Sequence, residues 1–213
     1  MSAPGCFIVV EGPEGAGKST LVAALAGRMR QDGVEPVVVR EPGGTAAAEV
    51  LRRELLDPAR RWEPAAELLY FATARADLLH HVVRPALGAG RVVLSDRFDL
   101  STEAYQIGGR GLDAATVRLV NRAATGGLRP ALTLVLDVTA GVGPARQRAA
   151  GKNPDRLERE GEAFHQRVRD FYLAHEGPGI RHLDASLQAE RVLQAAWNEV
   201  CRECPGPFGA HRG

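Results

Sequence analysis

A glycine-rich segment near the amino terminus constrains the fold of this chain more than any other feature. Residues 12–19 read Gly-Pro-Glu-Gly-Ala-Gly-Lys-Ser, a full match to the pattern G-x-x-x-x-G-K-S. An apolar run at residues 7–10 precedes the segment, and residues 18–30 follow it with helical apolar spacing. This order predicts a buried strand, a loop and a helix, the context in which such a loop binds phosphate.

The residue types of this segment suit a nucleoside triphosphate. Glycines allow consecutive backbone N–H groups to converge on phosphate oxygens, and the N-terminus of the following helix adds positive potential. Lys18 would reach the β- and γ-phosphates, and the Ser19 hydroxyl would bind magnesium. The alternative is an ordinary glycine-rich turn, which leaves the flanking strand and helix unexplained. The candidate ATP-binding residues are Gly12, Pro13, Glu14, Gly15, Ala16, Gly17, Lys18, Ser19 and Thr20.

Five short apolar runs predict the strands of a parallel sheet. They span residues 7–10, 37–40, 92–95, 132–138 and, more weakly, 180–183. Near-continuous apolar runs are typical of strands buried on both faces, and the helical segments between them predict crossover connections. We therefore expect an α/β fold of the P-loop NTPase type, with a five-stranded parallel sheet flanked by helices on both faces and a short lid between helices.

The helix boundaries are predicted from apolar spacing and from breaker residues. We expect helices over residues 18–30, 45–56, 64–87, 113–125, 142–150, 157–175 and 186–202, with Asp113 and Ser186 at the start of their helices. Pro85 lacks a backbone donor, so the third helix is expected to be broken or kinked there. Residues 205–213 are rich in Pro and Gly and are expected to be a flexible tail, which leaves residues 1–204 as a single domain.

Composition and charge narrow the functional class. The 213 residues are 45% hydrophobic and 25% charged, which excludes disordered, collagen-like and coiled-coil chains. The formal net charge of +1 provides no global attraction to nucleic acid or to an anionic membrane. No apolar stretch approaches the roughly 20 residues that span a bilayer. Cys6, Cys201 and Cys204 are too few for a disulfide framework, so we expect incidental cysteines in a cytoplasmic protein.

A second basic site would be needed for phosphoryl transfer, because the protein must hold two phosphate-bearing substrates in line. Ser95, Asp96 and Arg97 lie at the carboxyl end of the third predicted strand, where open α/β sheets bind ligands. Asp96 would orient the waters of magnesium, and Arg97 would bridge the transferring group and an acceptor monophosphate. The alternative for this pair is an ordinary ion pair.

Motifs along nearly the whole chain resemble those of the bacterial thymidylate kinases, within the P-loop nucleoside monophosphate kinase group. The matching segments are residues 12–20, 40–45, 96–102, 104–106, 108–111 and 155–158, in the family's order and approximate spacing. The resemblance implies ATP-dependent phosphorylation of thymidine 5′-monophosphate to the diphosphate, with Mg²⁺, in the pathway that supplies thymidine triphosphate for DNA synthesis. It also implies a homodimer packed through helices, consistent with the long apolar helix around residues 66–83.

The same resemblance implies the residues that bind the acceptor. Phe71 would stack on the thymine ring, and Arg75 would hydrogen-bond a base carbonyl. Positions i and i+4 share a helix face, so the two side chains would meet one ligand. Without the family, Phe71 in its apolar stretch indicates a core residue. The candidate acceptor-binding residues are Glu14, Arg52, Phe71, Arg75, Arg97, Ser101, Thr102, Tyr105 and Gln106.

Within this set the resemblance implies individual positions. Tyr105 would lie under the sugar and exclude a ribose 2′-hydroxyl, Glu14 would lie near the 3′-hydroxyl, and Thr102 near the base edge. Arg52 would bind the acceptor phosphate, and a solvated helix charge is its alternative. The hydroxyl of Ser101 and the amide of Gln106 have the alternative of local hydrogen bonds or caps.

A basic connection between two predicted helices is a candidate lid at about residues 146–158. Its charged residues are Arg146, Arg148, Lys152 and Arg156, and a solvated surface is the alternative. Family members with glycine where Gly15 stands supply the transition-state arginine from the lid, so the resemblance implies Arg148 or Arg156 for this role. Ala150 departs from relatives that have another lid arginine, which leaves the choice open. The candidate catalytic residues are Lys18, Arg97, Arg148 and Arg156, and the candidate metal ligands are Ser19 and Asp96.

Two other functions remain open at this point. A kinase of another nucleoside monophosphate, or of a deoxynucleoside, would keep the fold and differ in its base contacts. A P-loop regulator or assembly ATPase would bind nucleotide without phosphorylating a small acceptor. Such a protein has no need for the Asp96–Arg97 pair or for the shared helix face of Phe71 and Arg75.

Overall fold

A five-stranded parallel sheet forms the centre of the computed structural model, which describes residues 5–139, 141–149, 151 and 153–208. The strands are β1 Phe7–Glu11, β2 Val37–Arg40, β3 Val93–Asp96, β4 Leu132–Asp137 and β5 Ile180–Asp184, in the order β2-β3-β1-β4-β5. The chain passes from β1 to one edge and later returns to the other side of β1. Ligands bind beside such a reversal in open α/β sheets, at the carboxyl ends of the strands. The predicted sheet is confirmed.

The helices are α1 Lys18–Gln31, α2 Ala46–Leu56, α3 Pro64–Leu78, α4 Arg84–Gly88, α5 Asp99–Thr102, α6 Ala114–Thr125, α7 Val142–Ala149, α8 Glu162–Leu173, α9 Ala189–Glu203 and α10 Pro205–Phe208. Two π-helical segments, Leu79–Val83 and Glu103–Gly109, follow α3 and α5. In the part of the chain that is described, none of these helices has the length and apolarity to cross a bilayer.

The strand β1 is buried on both faces, which explains its uninterrupted apolar sequence. Ile8 and Val10 belong to a core cluster that also contains residues of α1 and α9, among them Leu25 and Trp197. Phe7 and Val9 alternate with them and pack in a second cluster with the end of α3. Helices therefore cover both sides of the sheet, and its carboxyl edge is left to the loops.

Strand register brings two of the predicted site segments together. Val10 of β1 pairs with Asp96 of β3, and the same Val10 pairs with Leu134 of β4 on the other side. The loop after β1 therefore leaves the sheet beside the loop after β3. This places the glycine-rich segment next to Arg97, although Arg97 lies 79 positions after Lys18 in the sequence.

The long helix predicted over residues 64–87 is interrupted close to the expected place. Pro85 lies in the first turn of α4, where a missing backbone donor is tolerated. The preceding turn, Leu79–Val83, is π-helical, which changes the hydrogen-bond partners just ahead of the proline. The break predicted at Pro85 is therefore confirmed, and it takes the form of a π-helical segment between two α-helices.

The helix predicted over residues 157–175 is shorter at both ends, because α8 spans Glu162–Leu173. The Asp155 carboxylate accepts hydrogen bonds from the backbone N–H groups of Leu157 and Glu158, each at 2.9 Å. Local bonds of this kind compete with helix formation and hold the segment in turns. The expected helix start at residue 157 is therefore wrong.

The carboxyl-terminal region also differs from the prediction. The Ser186 N–H and hydroxyl donate to the Asp184 carboxylate at 2.9 and 2.5 Å in a local turn, so α9 begins at residue 189 and not at Ser186. Part of the expected tail is ordered, because α10 packs Phe208 against Trp197 with ring centroids 5.2 Å apart. Residues 209–213 of the predicted tail lie outside the described residues.

The expectation of incidental cysteines is wrong for two of the three. Cys6 precedes β1 and Cys204 follows α9, yet the fold brings their Cα atoms to 6.1 Å, and the two form a disulfide. Both belong to the core cluster that includes α1 and α9. The number of cysteines in the sequence did not reveal this pairing. Because two of the three form a disulfide, the cysteines no longer support a reducing compartment.

Candidate active site

The glycine-rich segment at residues 12–19, called the phosphate loop below for its predicted role, connects β1 to α1. Geometry requires two of its glycines. Gly12 has a φ of 134° and Gly15 a φ of 70°, values that side chains disfavour. A Cβ on Gly12 would lie 2.7 Å from the backbone oxygen of Leu136, and a Cβ on Gly15 would overlap the backbone of Gly143. Both the backbone conformation and the neighbouring chain therefore exclude larger residues.

Lys18 lies over this loop from the first residue of α1. Its Nζ donates to the carbonyl oxygens of Gly12 at 3.0 Å and Pro13 at 2.8 Å, and the residue is buried. Burial, joined by repulsion from Arg97, lowers the pKa of Lys18 to about 8. The loop thus holds a cation at its centre that loses its proton more easily than an exposed lysine.

Ser19 and Asp96 form the pair that suits a metal ion. The Ser19 hydroxyl donates to Asp96 Oδ2 at 2.7 Å. Within the described residues, no group of three or more His, Cys, Asp or Glu side chains could hold a metal ion. Mg²⁺ favours oxygen ligands, and it often takes only one or two from the protein, with phosphates and waters supplying the rest. The pair therefore fits a magnesium ion that arrives with a nucleotide.

Arg97 is the centre of a hydrogen-bonded cluster of predicted acceptor residues. It follows β3 with a φ of 75°, and its Nη2 donates to Glu14 Oε1 at 2.5 Å while its Nη1 donates to Ser101 Oγ at 2.9 Å. The Tyr105 hydroxyl donates to the same Glu14 oxygen at 2.7 Å. Burial alone would raise the pKa of Glu14, but the charges of Arg97 and Lys18 outweigh burial and lower the pKa to about 2. Four predicted residues are thus hydrogen-bonded to one another.

Glu11 supports this cluster, although it was not among the predicted site residues. It is fully buried, and its carboxylate accepts hydrogen bonds from the backbone N–H groups of Phe98 at 2.8 Å and Ser101 at 3.1 Å. The hydroxyls of Ser101 and Tyr172 also donate to it, at 2.6 and 3.0 Å. The turn that carries Arg97 is therefore fixed to the end of β1. An acidic residue at the end of an apolar strand was the available signal.

Arg75 is 2% exposed, and its guanidinium is bonded inside the protein. Nε donates to Glu41 Oε2 at 2.7 Å, Nη1 to Asn121 Oδ1 at 2.8 Å, and Nη2 to Thr102 Oγ1 and the Phe98 carbonyl, each at 2.9 Å. Burial raises the pKa of Glu41 to about 7, although Arg75 acts in the opposite direction. Neither Glu41 nor Asn121 was predicted as a site residue.

Phe71, Gln106 and Arg52 are the remaining acceptor candidates. Phe71 of α3 is partly buried at the edge of a core cluster. Gln106 is fully buried, and its Nε2 donates to Glu67 Oε1 at 2.7 Å, while its Oε1 has no hydrogen-bond partner among the described residues. Arg52 of α2 donates through Nη1 to the Pro42 carbonyl at 2.7 Å. All three reach the same cavity.

This cavity has a volume of about 580 Å³, within the range of small-molecule sites. Of the predicted residues, its wall contains Glu14, Gly15, Gly17, Lys18, Ser19, Thr20, Arg52, Phe71, Arg75, Asp96, Arg97, Ser101, Thr102, Tyr105 and Gln106. Gly12, Pro13 and Ala16 belong to the loop but not to the wall. The phosphate loop and the predicted acceptor residues therefore open into one space, as transfer between two bound substrates requires.

The predicted lid arginines differ in whether they line this cavity. Arg146 of α7 lines it and donates through Nη2 to the Ala185 carbonyl at 3.1 Å. Arg148 also lies in α7, but its side chain is outside the described part of the structure. The predicted lid residues Ala150 and Lys152 lie outside the described residues as well.

Arg156 is buried elsewhere and lines a second, smaller cavity. Its Nε donates to the Leu55 carbonyl at 2.7 Å, and its Nη2 lies 2.5 Å from Glu67 Oε2. Arg110 contacts the same carboxylate, with Nη2 at 3.0 Å from Glu67 Oε2. Burial alone would raise the pKa of Glu67, but hydrogen bonds from Arg110 and Gln106 outweigh burial and lower this pKa. In this conformation Arg156 is therefore part of an internal ion cluster and is not at the phosphate loop.

Comparison with known proteins identifies the family of the chain. A family model described as thymidylate kinase matches residues 10–196. A thymidylate kinase of Thermomicrobium roseum is 47% identical over 197 residues, covering 91% of this chain and 93% of the relative. Thymidylate kinases of Pseudomonas putida strain F1 and Deinococcus radiodurans are 45% and 43% identical, covering 98% and 92% of this chain and 99% and 96% of those relatives. The chain therefore belongs to the thymidylate kinase family.

Proposed function

We propose that this chain transfers the γ-phosphoryl group of ATP to thymidine 5′-monophosphate, giving ADP and thymidine 5′-diphosphate for the synthesis of thymidine triphosphate. The observation that carries the proposal is the single cavity of about 580 Å³ that joins the phosphate loop to Phe71, Arg97 and Tyr105. In phosphoryl transfer, the main tasks of the protein are to position the two substrates and to neutralise the charge of their phosphate groups. A cavity with a donor side and an acceptor side supplies both.

On the donor side, the chain would hold the phosphates of ATP with backbone N–H groups of residues 12–19 and with Lys18. Ser19 and Asp96 would hold Mg²⁺ through the hydroxyl and carboxylate oxygens that already lie 2.7 Å apart. A bound magnesium ion neutralises charge on the β- and γ-phosphates. Lys18 has to exchange its carbonyl partners for phosphate oxygens, which raises its pKa again.

On the acceptor side, Arg97 would bind the phosphate of thymidine monophosphate, and Glu14 and Tyr105 would contact the sugar. Arg97 is already oriented by Glu14, so it needs only to exchange this partner for a phosphate oxygen. Phe71 would stack on the thymine ring. The four bonds of Arg75 occupy four of the five N–H groups of a guanidinium, which leaves one for a base carbonyl.

Residues 146–158 are proposed as the lid of a single kinase domain, which also includes α10 because Phe208 packs in the core. Arg148 is the better candidate for stabilising charge on the transferring phosphoryl group. Arg156 would first have to leave its buried contacts with Glu67 and with the Leu55 carbonyl, whereas Glu67 would keep Arg110 as an ion-pair partner.

A homodimer is also proposed, on the basis of two neighbouring helices. Helices α3 and α6 pack on each other, and each exposes a leucine: Leu69 is 55% exposed and Leu119 is 62% exposed. A second copy of the chain would bury these side chains. The cytoplasmic location and the lack of nucleic-acid and membrane partners stay predictions.

The proposed reaction is tested by measuring ADP production from Mg-ATP with each nucleoside monophosphate in turn, in ribose and deoxyribose forms, and without acceptor. Turnover confined largely to thymidine monophosphate is expected, because Phe71 and Tyr105 would select thymine and deoxyribose. Preference for another monophosphate would overturn those base contacts. Hydrolysis that does not depend on an acceptor would favour the regulator or assembly ATPase.

A further inference from the structure

The second cavity has features of an anion site that is separate from the active site. It has a volume of about 340 Å³, and its wall includes Arg61, Trp62, Arg110, Arg156, Arg159 and Glu160. None of these residues lines the larger cavity. We propose that this second cavity binds the phosphate group of a small phosphorylated molecule.

The charge of the cavity matches a phosphate monoester. Four guanidinium groups line it, and among the described residues two carboxylates, those of Glu160 and Glu67, form ion pairs with them. Two positive charges are left over. A phosphate monoester carries about −1.5 to −2 charge at neutral pH and accepts hydrogen bonds through three oxygens. A guanidinium group binds two of these oxygens at once through paired, parallel N–H donors.

Two of the four arginines are not paired with a carboxylate. Arg61 donates through Nη1 to the carbonyls of Arg60 at 3.0 Å and Pro58 at 3.2 Å, and Arg159 donates through Nε to the Pro154 carbonyl at 3.0 Å. Within the part of the chain that the structure describes, neither makes an ion pair. These carbonyl bonds orient the side chains without neutralising them. The remaining N–H groups are therefore available to an anion at the mouth of the cavity.

Arg156 contributes a buried donor at the base of the cavity. The residue is 7% exposed, and its Nη2 has no hydrogen-bond partner in the described structure, although it lies 2.5 Å from Glu67 Oε2 in an ion pair. The contact with Glu67 therefore supplies charge without a well-directed hydrogen bond. Buried donors are usually satisfied, and the ion pair with Glu67 leaves this guanidinium able to take a better-directed acceptor. A phosphate oxygen would supply one.

Trp62 supplies a flat wall, which indicates that the ligand has an organic part. Its ring lies against Tyr70 with centroids 4.3 Å apart, and its Nε1 donates to the Glu54 carbonyl at 3.2 Å. The indole is thus held in place before any ligand arrives. The volume of 340 Å³ is roughly ten times the 30 Å³ share of a liquid water molecule, so the cavity has room for more than one phosphate group.

The experiment uses the two tryptophans of the chain as internal reporters. In a ¹H–¹⁵N correlation spectrum each gives one indole cross-peak, and Trp62→Phe assigns them. Trp62 lines the second cavity, whereas Trp197 is buried against Phe208 in the core. Inorganic phosphate and ribose 5-phosphate are titrated separately into the full-length protein. The first probe tests the anion site, and the second tests whether the wall formed by Trp62 adds affinity.

Variants separate this site from the phosphate loop. The double variant Arg61→Ala/Arg159→Ala removes two exposed, unpaired cations from the second cavity, whereas Lys18→Ala disables the phosphate loop. Arg191→Ala removes one exposed arginine of α9 and is the control for losing a positive charge elsewhere on the surface. Turnover of the double variant without added phosphate should equal that of the parent, because neither arginine lines the larger cavity.

The expected result is a saturable shift of the Trp62 cross-peak, with the Trp197 cross-peak unmoved. Binding at Trp62 should weaken at least tenfold in Arg61→Ala/Arg159→Ala and should persist in Lys18→Ala and Arg191→Ala. Ribose 5-phosphate should bind more tightly than inorganic phosphate. The proposal is overturned if Trp62 does not move, if its shift disappears only in Lys18→Ala, or if the double variant binds as tightly as the parent. Because the Trp62 readout needs no turnover, failure here is distinct from failure of the proposed reaction.

Discussion

Replacing Arg75 by alanine should destabilise the protein by an amount that grows with pH. Arg75 and Glu41 are 2% and 6% exposed, and 2.7 Å separates Nε from Oε2. Removing one partner of a buried pair typically costs about 3–5 kcal/mol, because the other charge is left unpaired. A carboxyl group limits this cost by binding a proton. Glu41 is poised to do so, because burial raises its pKa to about 7.

The sign of the pH dependence follows from this raised pKa. Between the ordinary value of 4.5 and about 7, the folded protein binds more protons at Glu41 than the unfolded chain does, so rising pH lowers stability. In the parent protein this loss ends near pH 7. Without Arg75 the pKa of Glu41 rises further, and the loss continues at about 1.4 kcal/mol per pH unit. The destabilisation by Arg75→Ala should therefore increase by about 2 kcal/mol from about pH 7 to about pH 8.5.

Urea unfolding of the parent and of Arg75→Ala at several pH values between about 6 and 8.5 measures this difference. The matched control is Glu41→Gln, alone and combined with Arg75→Ala, because an amide does not titrate. In that background the cost of losing Arg75 should depend on pH much less, with Asp99 as the remaining buried carboxyl, because burial raises the pKa of Asp99 to about 6 and Arg75 opposes that rise. If the cost depends on pH equally in the two backgrounds, or in neither, the assignment of Glu41 as the main responsible carboxyl is refuted.

Three further predictions concern the active site and the assembly. The KM for ATP should rise above about pH 8. Burial lowers the pKa of Lys18 to about 8, so the free enzyme loses the positive charge of this side chain above that pH. A KM that stays constant up to about pH 9.5 would contradict this. In steady-state assays, Arg148→Ala should lower kcat at least tenfold and change the KM for thymidine monophosphate by less than about threefold, because arginine fingers act in the transition state. Unchanged kcat would contradict a catalytic role for Arg148. Light scattering at micromolar concentration should give the mass of a dimer, and Leu119→Glu should shift it toward the monomer; a parent protein that is only monomeric would disprove the interface.

Strand positions were predictable because strands that are buried on both faces have nearly continuous apolar sequences. The apolar runs agree with all five strands to within one residue at each end. Helix starts near Asp155 and Asp184 were not predictable in the same way. Their carboxylates bond to neighbouring backbone groups, and helical apolar spacing contains no information about this competition.

The site could be predicted as far as its motifs extend. Residues of the glycine-rich segment and of the segments around Asp96 and Tyr105 do line one cavity, although their individual roles stay predictions. The contacts of the supporting residues could not be predicted, because Glu11 bonds to groups 87 to 161 positions away in the sequence. Arg156 shows the same limit: its charge was visible in the sequence, but its partner Glu67 lies in a distant helix.

The proposed reaction moves the γ-phosphoryl group of ATP to thymidine monophosphate within one cavity. ATP that carries ³²P at the γ-position makes this transfer visible when thymidine monophosphate and magnesium are present. The label should appear in thymidine diphosphate, with one labelled product for each ADP formed. Label released as inorganic phosphate, at a rate that does not depend on thymidine monophosphate, would show that the chain is not a thymidylate kinase in activity.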